Sequence, residues 1–309
     1  MRAAVLHGRH DLRLEDVGVP PIGPQEVLVR VGACGICASD VHYFETGAIG
    51  RYVVNAPMIV GHEAAGEVAA IGDEVTSLKV GARVAIEPGV TCGRCEFCKS
   101  GRYNLCPSVV FYATPPVDGA LAEYAIIRAD FAHPIPEGVS YAQAALVEPL
   151  SVGIHAARLT GVQPGATVVV MGAGPIGLLA LVAARHAGAE RVVVSDVYPR
   201  RLEAALGLGA TAAVNVRTEN LAAIVDEVTG GHGADALLDT SGNRSVLESA
   251  PDLMRRGGAL LIRLMAKVGL SPVEAAAHPD GQRGRGLRAD PLADLSALHE
   301  VRRHSNLER

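Results

Sequence analysis

The segment Thr167-Val168-Val169-Val170-Met171 runs directly into Gly172-Ala173-Gly174-Pro175-Ile176-Gly177, and this junction constrains the fold more than any other stretch of the chain. A run this apolar suits a parallel strand covered on both faces. The next residues have G-x-G-x-x-G spacing, and the stretch from about Pro175 to Ala187 reads as a helix. In a strand–turn–helix the first glycine permits the tight turn. The second lets the backbone approach a pyrophosphate, and the third lets the helix pack closely on the strand. The helix N-terminus then offers free N–H groups and the positive end of its dipole. Gly172, Gly174, Pro175, Ile176 and Gly177 therefore form a candidate dinucleotide-binding turn.

The next strand, Arg191-Val192-Val193-Val194-Ser195-Asp196, ends on an acid 22 residues after Gly174. A carboxylate there can accept the adenosine ribose hydroxyls and would repel a 2′-phosphate, which favours NAD over NADP. Arg200 and Arg201 follow, where they could cover the adenine or weaken that preference. The plain alternative for Asp196 is a cap on the following helix.

Beyond this unit, strands and helices keep alternating. A helix is expected from near Pro199, a strand over Ala212 to Val216, a helix near Glu219 to Thr229, and strands at Ala236 to Asp239 and Ala259 to Ile262. Repeated β-α units predict a doubly wound sheet. The N-terminal part reads differently. Glu26 to Val31, Glu67 to Ile71 and Ala82 to Ile86 resemble short half-buried strands, separated by Gly- and Pro-rich turns such as Pro20-Pro21-Ile22-Gly23-Pro24. An irregular barrel-like domain is expected over 1–145, a cofactor domain over 146–265, and a divergent, poorly ordered tail over 266–309. One helix is expected in that tail, around Ala293 to Val301.

Cys92, Cys95 and Cys98 are spaced by two residues each, and Cys106 follows closely. Such clustering favours a metal over disulfides in a reducing compartment. Four thiolates close a tetrahedral zinc site and leave no open position, so this site would staple a loop without doing chemistry. Four reduced thiols in a polar loop, or an iron–sulfur cluster, are the other readings.

Cys37, the pair His62-Glu63, and Glu148 supply one sulfur, one nitrogen and two carboxylates for a second metal. A catalytic zinc keeps three protein ligands and one exchangeable position. Spacing alone does not show that these residues meet. Net charge is −5, which gives no electrostatic case for nucleic acid or anionic lipid. No apolar run approaches the roughly 20 residues that span a bilayer. The N-terminus lacks a signal-peptide core, so a soluble cytoplasmic protein is expected.

Several long segments carry a family resemblance: Ser39-Asp40-Val41-His42-Tyr43, Gly101 to Pro107, Phe111 to Gly119, and Glu148-Pro149-Leu150-Ser151-Val152-Gly153-Ile154-His155-Ala156. Together they resemble the zinc-containing medium-chain dehydrogenases, most closely the sorbitol dehydrogenase branch. The resemblance implies an α/β fold: a GroES-like irregular β-barrel catalytic domain and a doubly wound parallel-sheet (Rossmann) cofactor domain. It implies zinc-dependent oxidation of a polyol to the ketose with NAD, one catalytic and one structural zinc, and a dimeric or tetrameric homo-oligomer. Cys37, His62 and Glu63 match the catalytic zinc ligands, and Glu148 matches an acid beside the metal. Tyr43 matches a substrate contact, and Ser39 and His42 match a proton relay. Ser39 could otherwise cap a helix, and Asp40 is expected to support or cap. Cys34 is expected to pack. L-threonine dehydrogenases share both metal motifs, but the segments around Tyr43, Thr114-Pro115-Pro116 and Glu148-Pro149-Leu150 favour the polyol branch. The resemblance stops near Leu261. The Arg-, Ala- and Gly-rich remainder reads like a shifted frame, which implies an exposed sheet edge in place of a sixth strand and, as the alternative function, an inactive chain.

Overall fold

The computed structural model describes residues 1–243, 248–263 and 298–302. The chain divides into two compact units, Met1–Glu148 and Pro149–Arg309.

The first unit is built from short antiparallel strands. β1 (Arg2–Gly8) and β2 (Asp11–Asp16) form a hairpin; β3 is Glu26–Gly35 and α1 is Ala38–Thr46. Three two-residue strands follow: β4 (Ala48–Ile49), β5 (Tyr52–Val53) and β6 (Met58–Ile59). Then come β7 (Glu63–Ile71), β8 (Arg83–Ile86), β9 (Gly89–Val90) and α2 (Glu96–Lys99). β10 (Val110–Phe111), β11 (Tyr124–Arg128), β12 (Ala132–Pro134) and α3 (Tyr141–Ala145) complete it. The main sheet has the order β11-β3-β7-β8-β12, and β2-β1-β6 forms a second one. β3 extends four residues past the expected Val31, because its pairing with β7 continues through two bulges, between Leu28 and Val29 and between Val31 and Ala33. Bulges bend and twist the strands that carry them. This pairing ends on Gly35↔Glu63, which brings the residues leading to Cys37 beside those after His62.

One face of the main sheet buries Val27, Val29, Val68, Val84 and Ile127 with Tyr112 and Phe131. The other packs Ala65 and Ala85 against Ala144 and Ala145 of α3. The ring of Tyr141 lies so close to Gly32 that a Cβ there would stand 2.3 Å from it.

The helix α4 (Val147–Leu159) carries the chain from one unit into the other. The second unit follows the expected alternation: β13 (Thr167–Met171), α5 (Pro175–His186), β14 (Arg191–Asp196), α6 (Pro199–Gly207), β15 (Ala212–Asn215), α7 (Leu221–Thr229), β16 (Ala234–Asp239) and β17 (Met254–Arg263). The sheet order is β15-β14-β13-β16-β17-β18, with β18 at Leu298–Arg302, and the first five strands run parallel. The period of two divides each inner strand between two cores. Val168, Val170, Val192, Val194 and Leu238 face α5 residues Ala180, Leu181 and Ala184. Val169, Met171, Val193 and Leu237 face Val225 of α7 and Leu253. Truncating one of these buried leucines to Ala would cost ~2–5 kcal/mol.

Two expectations for the tail are corrected. Residues Leu298–Arg302 form a strand instead of part of a helix, and that strand lies antiparallel along β17, where an exposed edge was expected. The physical reason is that the edge of β17 offers a row of unpaired N–H and C=O groups, and pairing with them outweighs local helix preference. The other positions after Arg263, including the beginning of the expected helix and most of the expected poorly ordered tail, lie outside the described residues. Among the described residues, no helix is long and apolar enough to cross a membrane.

Candidate functional site

Cys37 is the N-cap of α1, with extended backbone angles, so its side chain leaves the helix where β3 ends. The helix forms because Asp40, three residues on, accepts the Cys37 N–H through Oδ2 at 2.9 Å. Oδ1 of the same carboxylate accepts the N–H of Gly61 at 2.9 Å and lies 3.9 Å from His62 Nδ1. Asp40 is thus the supporting and capping group expected. Gly61 has a left-handed φ of 88°, and a Cβ on it would press on Cys34 Sγ and Leu121 at 3.0 Å. The turn it allows aims His62 and Glu63 at Cys37.

The ligand atoms of Cys37, His62 and Glu63 all lie within 4.8 Å of one another. His62 is 7% exposed and its ring sits 5.6 Å from that of Phe111. Burial disfavours the imidazolium, but the hydrogen bond with Cys37 and the negative charges of Cys37, Asp40 and Glu148 outweigh it, and the His62 pKa is pushed up to about 9. One sulfur, one nitrogen and one carboxylate at this spacing fit a divalent ion with an open position, of the kind a catalytic zinc uses. Glu148, in the first turn of α4, acts on His62 through its charge but lies outside this trio.

Ser39 and His42 sit half-buried on α1. Ser39 is not the cap: the N-cap position belongs to Cys37, and Ser39 lies inside the first turn. Tyr43 is only 1% exposed and packs with Leu6, Met58, Val60 and Ala113. Burial raises its hydroxyl pKa, and Thr114 stands beside it. In this structure the side chain expected to touch substrate is a core residue, because α1 turns that face onto β1 and β6. Cys34 packs as expected; burial, aided by Asp40 and Glu63, pushes its thiol up to about 12.

The second cluster, Cys92, Cys95, Cys98 and Cys106, also has all its sulfurs within 4.8 Å. Four thiolates about 2.3 Å from one ion would stand about 3.8 Å apart. The observed Cys95–Cys98 and Cys92–Cys98 separations are 3.4 and 4.0 Å. The backbone also points N–H groups at sulfur, from Cys92 to Cys106 Sγ and from Cys98 to Cys95 Sγ. The N–H groups of Arg94 and Cys95 bring the Cys92 thiol down to about 6. All six cysteines are free of disulfides. Arg128 supports the loop by donating to the Thr91 carbonyl at 3.0 Å. Its place 37 residues away gave no local signal.

In the second unit Gly172 directly follows β13 with φ 101°, and a Cβ on Gly177 would stand 1.8 Å from the Gly172 carbonyl oxygen. At Gly174, the N-cap of α5, a Cβ would meet nothing within 4 Å, so the space above the helix N-terminus is open. No side chain caps that end, and Pro175 occupies the first turn, where its fixed φ suits a helix start. Ile176 opens α5 beside it.

Asp196 is 9% exposed. Its Oδ1 accepts the N–H groups of Val197 at 2.7 Å and Tyr198 at 2.9 Å, which shapes the turn into α6. Its Oδ2 accepts the Ala173 N–H at 2.8 Å and lies 3.6 Å from Arg201 Nη1. Arg201 also stacks on the Tyr198 ring at 4.7 Å. Asp196 therefore serves the start of α6 and the glycine turn together.

Comparison with known proteins assigns a family to each of the two parts of the chain. Residues 23–137 match the alcohol dehydrogenase GroES-like domain, and residues 175–273 match the zinc-binding dehydrogenase family. The chain is 53% identical over 262 residues to a sorbitol dehydrogenase of Bacillus subtilis (strain 168), covering 85% of this chain and 74% of that one. It is 45% identical over 259 residues to a probable D-xylulose reductase A of Aspergillus niger, covering 82% and 72%. Among solved structures, an oxidoreductase/dehydrogenase of unknown specificity from Escherichia coli superposes with a TM-score of 0.79 at 40% identity, covering 83% and 75%. The chain belongs to the zinc-binding dehydrogenases, built from an alcohol dehydrogenase GroES-like domain and a doubly wound cofactor-binding sheet.

Proposed function

We propose that this protein oxidises a polyol such as sorbitol or xylitol to the ketose, with NAD as hydride acceptor. The observation that carries this reading is the convergence of Cys37, His62 and Glu63 within 4.8 Å, with Glu148 outside the trio yet acting on His62. Cys37, His62 and Glu63 would hold a zinc ion. When bound, zinc acts as a Lewis acid that makes an alcohol oxygen easier to deprotonate near neutral pH. Asp40 holds the backbones of two ligand-bearing turns in place, so the donor set is preorganised. Glu148 holds a water or substrate hydroxyl, and Ser39 and His42 pass the released proton toward solvent. A carboxylate at Glu148 suits a polyhydroxylated substrate better than a thiol would, because it accepts hydrogen bonds from hydroxyl groups.

Gly172, Gly174, Pro175, Ile176 and Gly177 would cradle the pyrophosphate of NAD. Asp196 would receive the ribose hydroxyls, and Arg201 would lie by the adenine. NAD, when bound, supplies the hydride acceptor. The four-cysteine loop would hold a second zinc in a purely structural role. Free thiols at both clusters fit a reducing, cytoplasmic setting. A dimer or tetramer is the assembly the family resemblance implies.

The test is NADH production by the purified chain with sorbitol, xylitol and L-threonine, alongside zinc content. The expected result is turnover with a polyol and about two zinc ions per chain, as one open and one closed site require. Turnover with L-threonine alone would move the substrate assignment. Zinc below that figure with no turnover on any of the three would overturn the proposal.

A further inference from the structure

Thr240 follows β16, the strand beside β13 on the side opposite β14. Its Oγ1 lies 3.0 Å from the Gly172 carbonyl oxygen and 3.1 Å from that of Met171, so its one proton is shared between them. Its own N–H donates to the Met171 carbonyl at 2.9 Å. The peptide unit joining Gly172 to Ala173 is therefore held at both ends. Its C=O accepts from Thr240, and its N–H donates to Asp196 Oδ2 at 2.8 Å. The two clamps come from either side of β13: Asp196 is the last residue of β14, and Thr240 directly follows β16. Turning the peptide over would aim its carbonyl at the Asp196 carboxylate and leave the hydroxyl facing an N–H.

The glycines make room for this hydroxyl. A Cβ on Gly172 and a Cβ on Gly177 would each stand 2.9 Å from Thr240 Oγ1. The first and third glycines of the turn thus also admit a side chain that lies 68 residues beyond the first of them. With the peptide fixed, the turn leads into Gly174 and the uncapped start of α5 in one orientation, toward the open space above it.

We propose that Thr240 is a positioning residue of the nucleotide site, locking the Gly172–Ala173 peptide so that the turn is ready to receive a pyrophosphate. The proposal rests on the reading that this turn binds NAD. It is tested by NADH fluorescence titration of the full chain and of Thr240→Val, Thr240→Ala and Thr240→Ser, with the KM for NAD and kcat measured in parallel. Val keeps the shape and removes the donor. Loss of one buried hydrogen bond predicts an NADH Kd raised about tenfold in Val and Ala, with Ser near the parent. The change should fall on KM for NAD rather than on kcat. Should Val fail to fold, the contrast between Ala and Ser decides. Parent and donor-less variants within about twofold of each other, or Ser as weak as Ala, would overturn the positioning role while leaving NAD binding intact. A parent chain that binds no NADH would instead remove the dinucleotide reading itself.

Discussion

Asp40 and Gly61 are joined by a 2.9 Å hydrogen bond from the glycine N–H to Oδ1, and the other oxygen of the same carboxylate receives the N–H of Cys37. One buried acid thereby fixes the backbone beside two metal-ligand candidates, Cys37 and His62, which come from separate turns. Hydrogen bonds to a charged group contribute ~1.5–3 kcal/mol each. Asp40→Asn keeps only one accepting oxygen and should loosen the set without unfolding the unit. The expected outcome is loss of about one zinc per chain from the open site, read by metal analysis after dialysis, at a circular dichroism spectrum like the parent's. Full zinc retention would show that Asp40 only caps α1.

Cys37→Ala removes the one sulfur from the trio. Turnover should fall to background, and the NADH Kd should stay within about twofold of the parent, since the glycine turn belongs to the other unit. Retained turnover would sink the assignment of Cys37.

Replacing Cys98 by Ser should act on stability rather than chemistry. Cys98 lies 3.4 Å from Cys95 and 4.0 Å from Cys92, so it is central to the loop. A structural zinc contributes folding free energy directly. The variant should lose one zinc and melt at a lower temperature in differential scanning calorimetry, and chelator treatment of the parent should reproduce part of that fall.

Asp196→Ala leaves the N–H groups of Ala173, Val197 and Tyr198 without their acceptor. Each unsatisfied buried donor costs ~1–3 kcal/mol. Both the melting temperature and NADH affinity should drop. A lower melting temperature with unchanged NADH binding would reduce Asp196 to a helix cap.

Asp239 is 1% exposed, and its Oδ2 has no hydrogen-bond partner among the described residues. Burial raises its pKa, although the N–H and hydroxyl of Ser241 and the Gly242 N–H work against the shift. A carboxyl with a raised folded-state pKa opposes folding once it must ionise. The penalty is absent below the ordinary aspartate pKa, grows as pH rises toward the folded-state value, and persists above it. Asp239→Asn removes it. The variant should melt above the parent at pH 7, and the difference should shrink as pH is lowered toward the ordinary aspartate range. An advantage that does not change with pH would mean that ionisation of Asp239 has no part in it.

The strand–turn–helix at Thr167 to Ala187 and the four-cysteine loop were legible in the sequence because each is a local arrangement. Apolar runs, glycine spacing and two-residue cysteine spacers act over a few residues, and so does the period that assigned α5, β14 and α7. What only the tertiary structure decided depends on contacts between distant segments. Cys37, His62 and Glu63 come together because β3 pairs with β7 down to Gly35↔Glu63, a register carried by two bulges. Tyr43 turned into a core because of strands on either side of it in sequence. The role of Thr240 arises from strand order, and β18 from an edge that needed a partner. Residue types and spacing declare which chemistry a chain can carry. Long-range pairing decides where each group points, since side-chain direction follows from register and register from packing of the whole sheet.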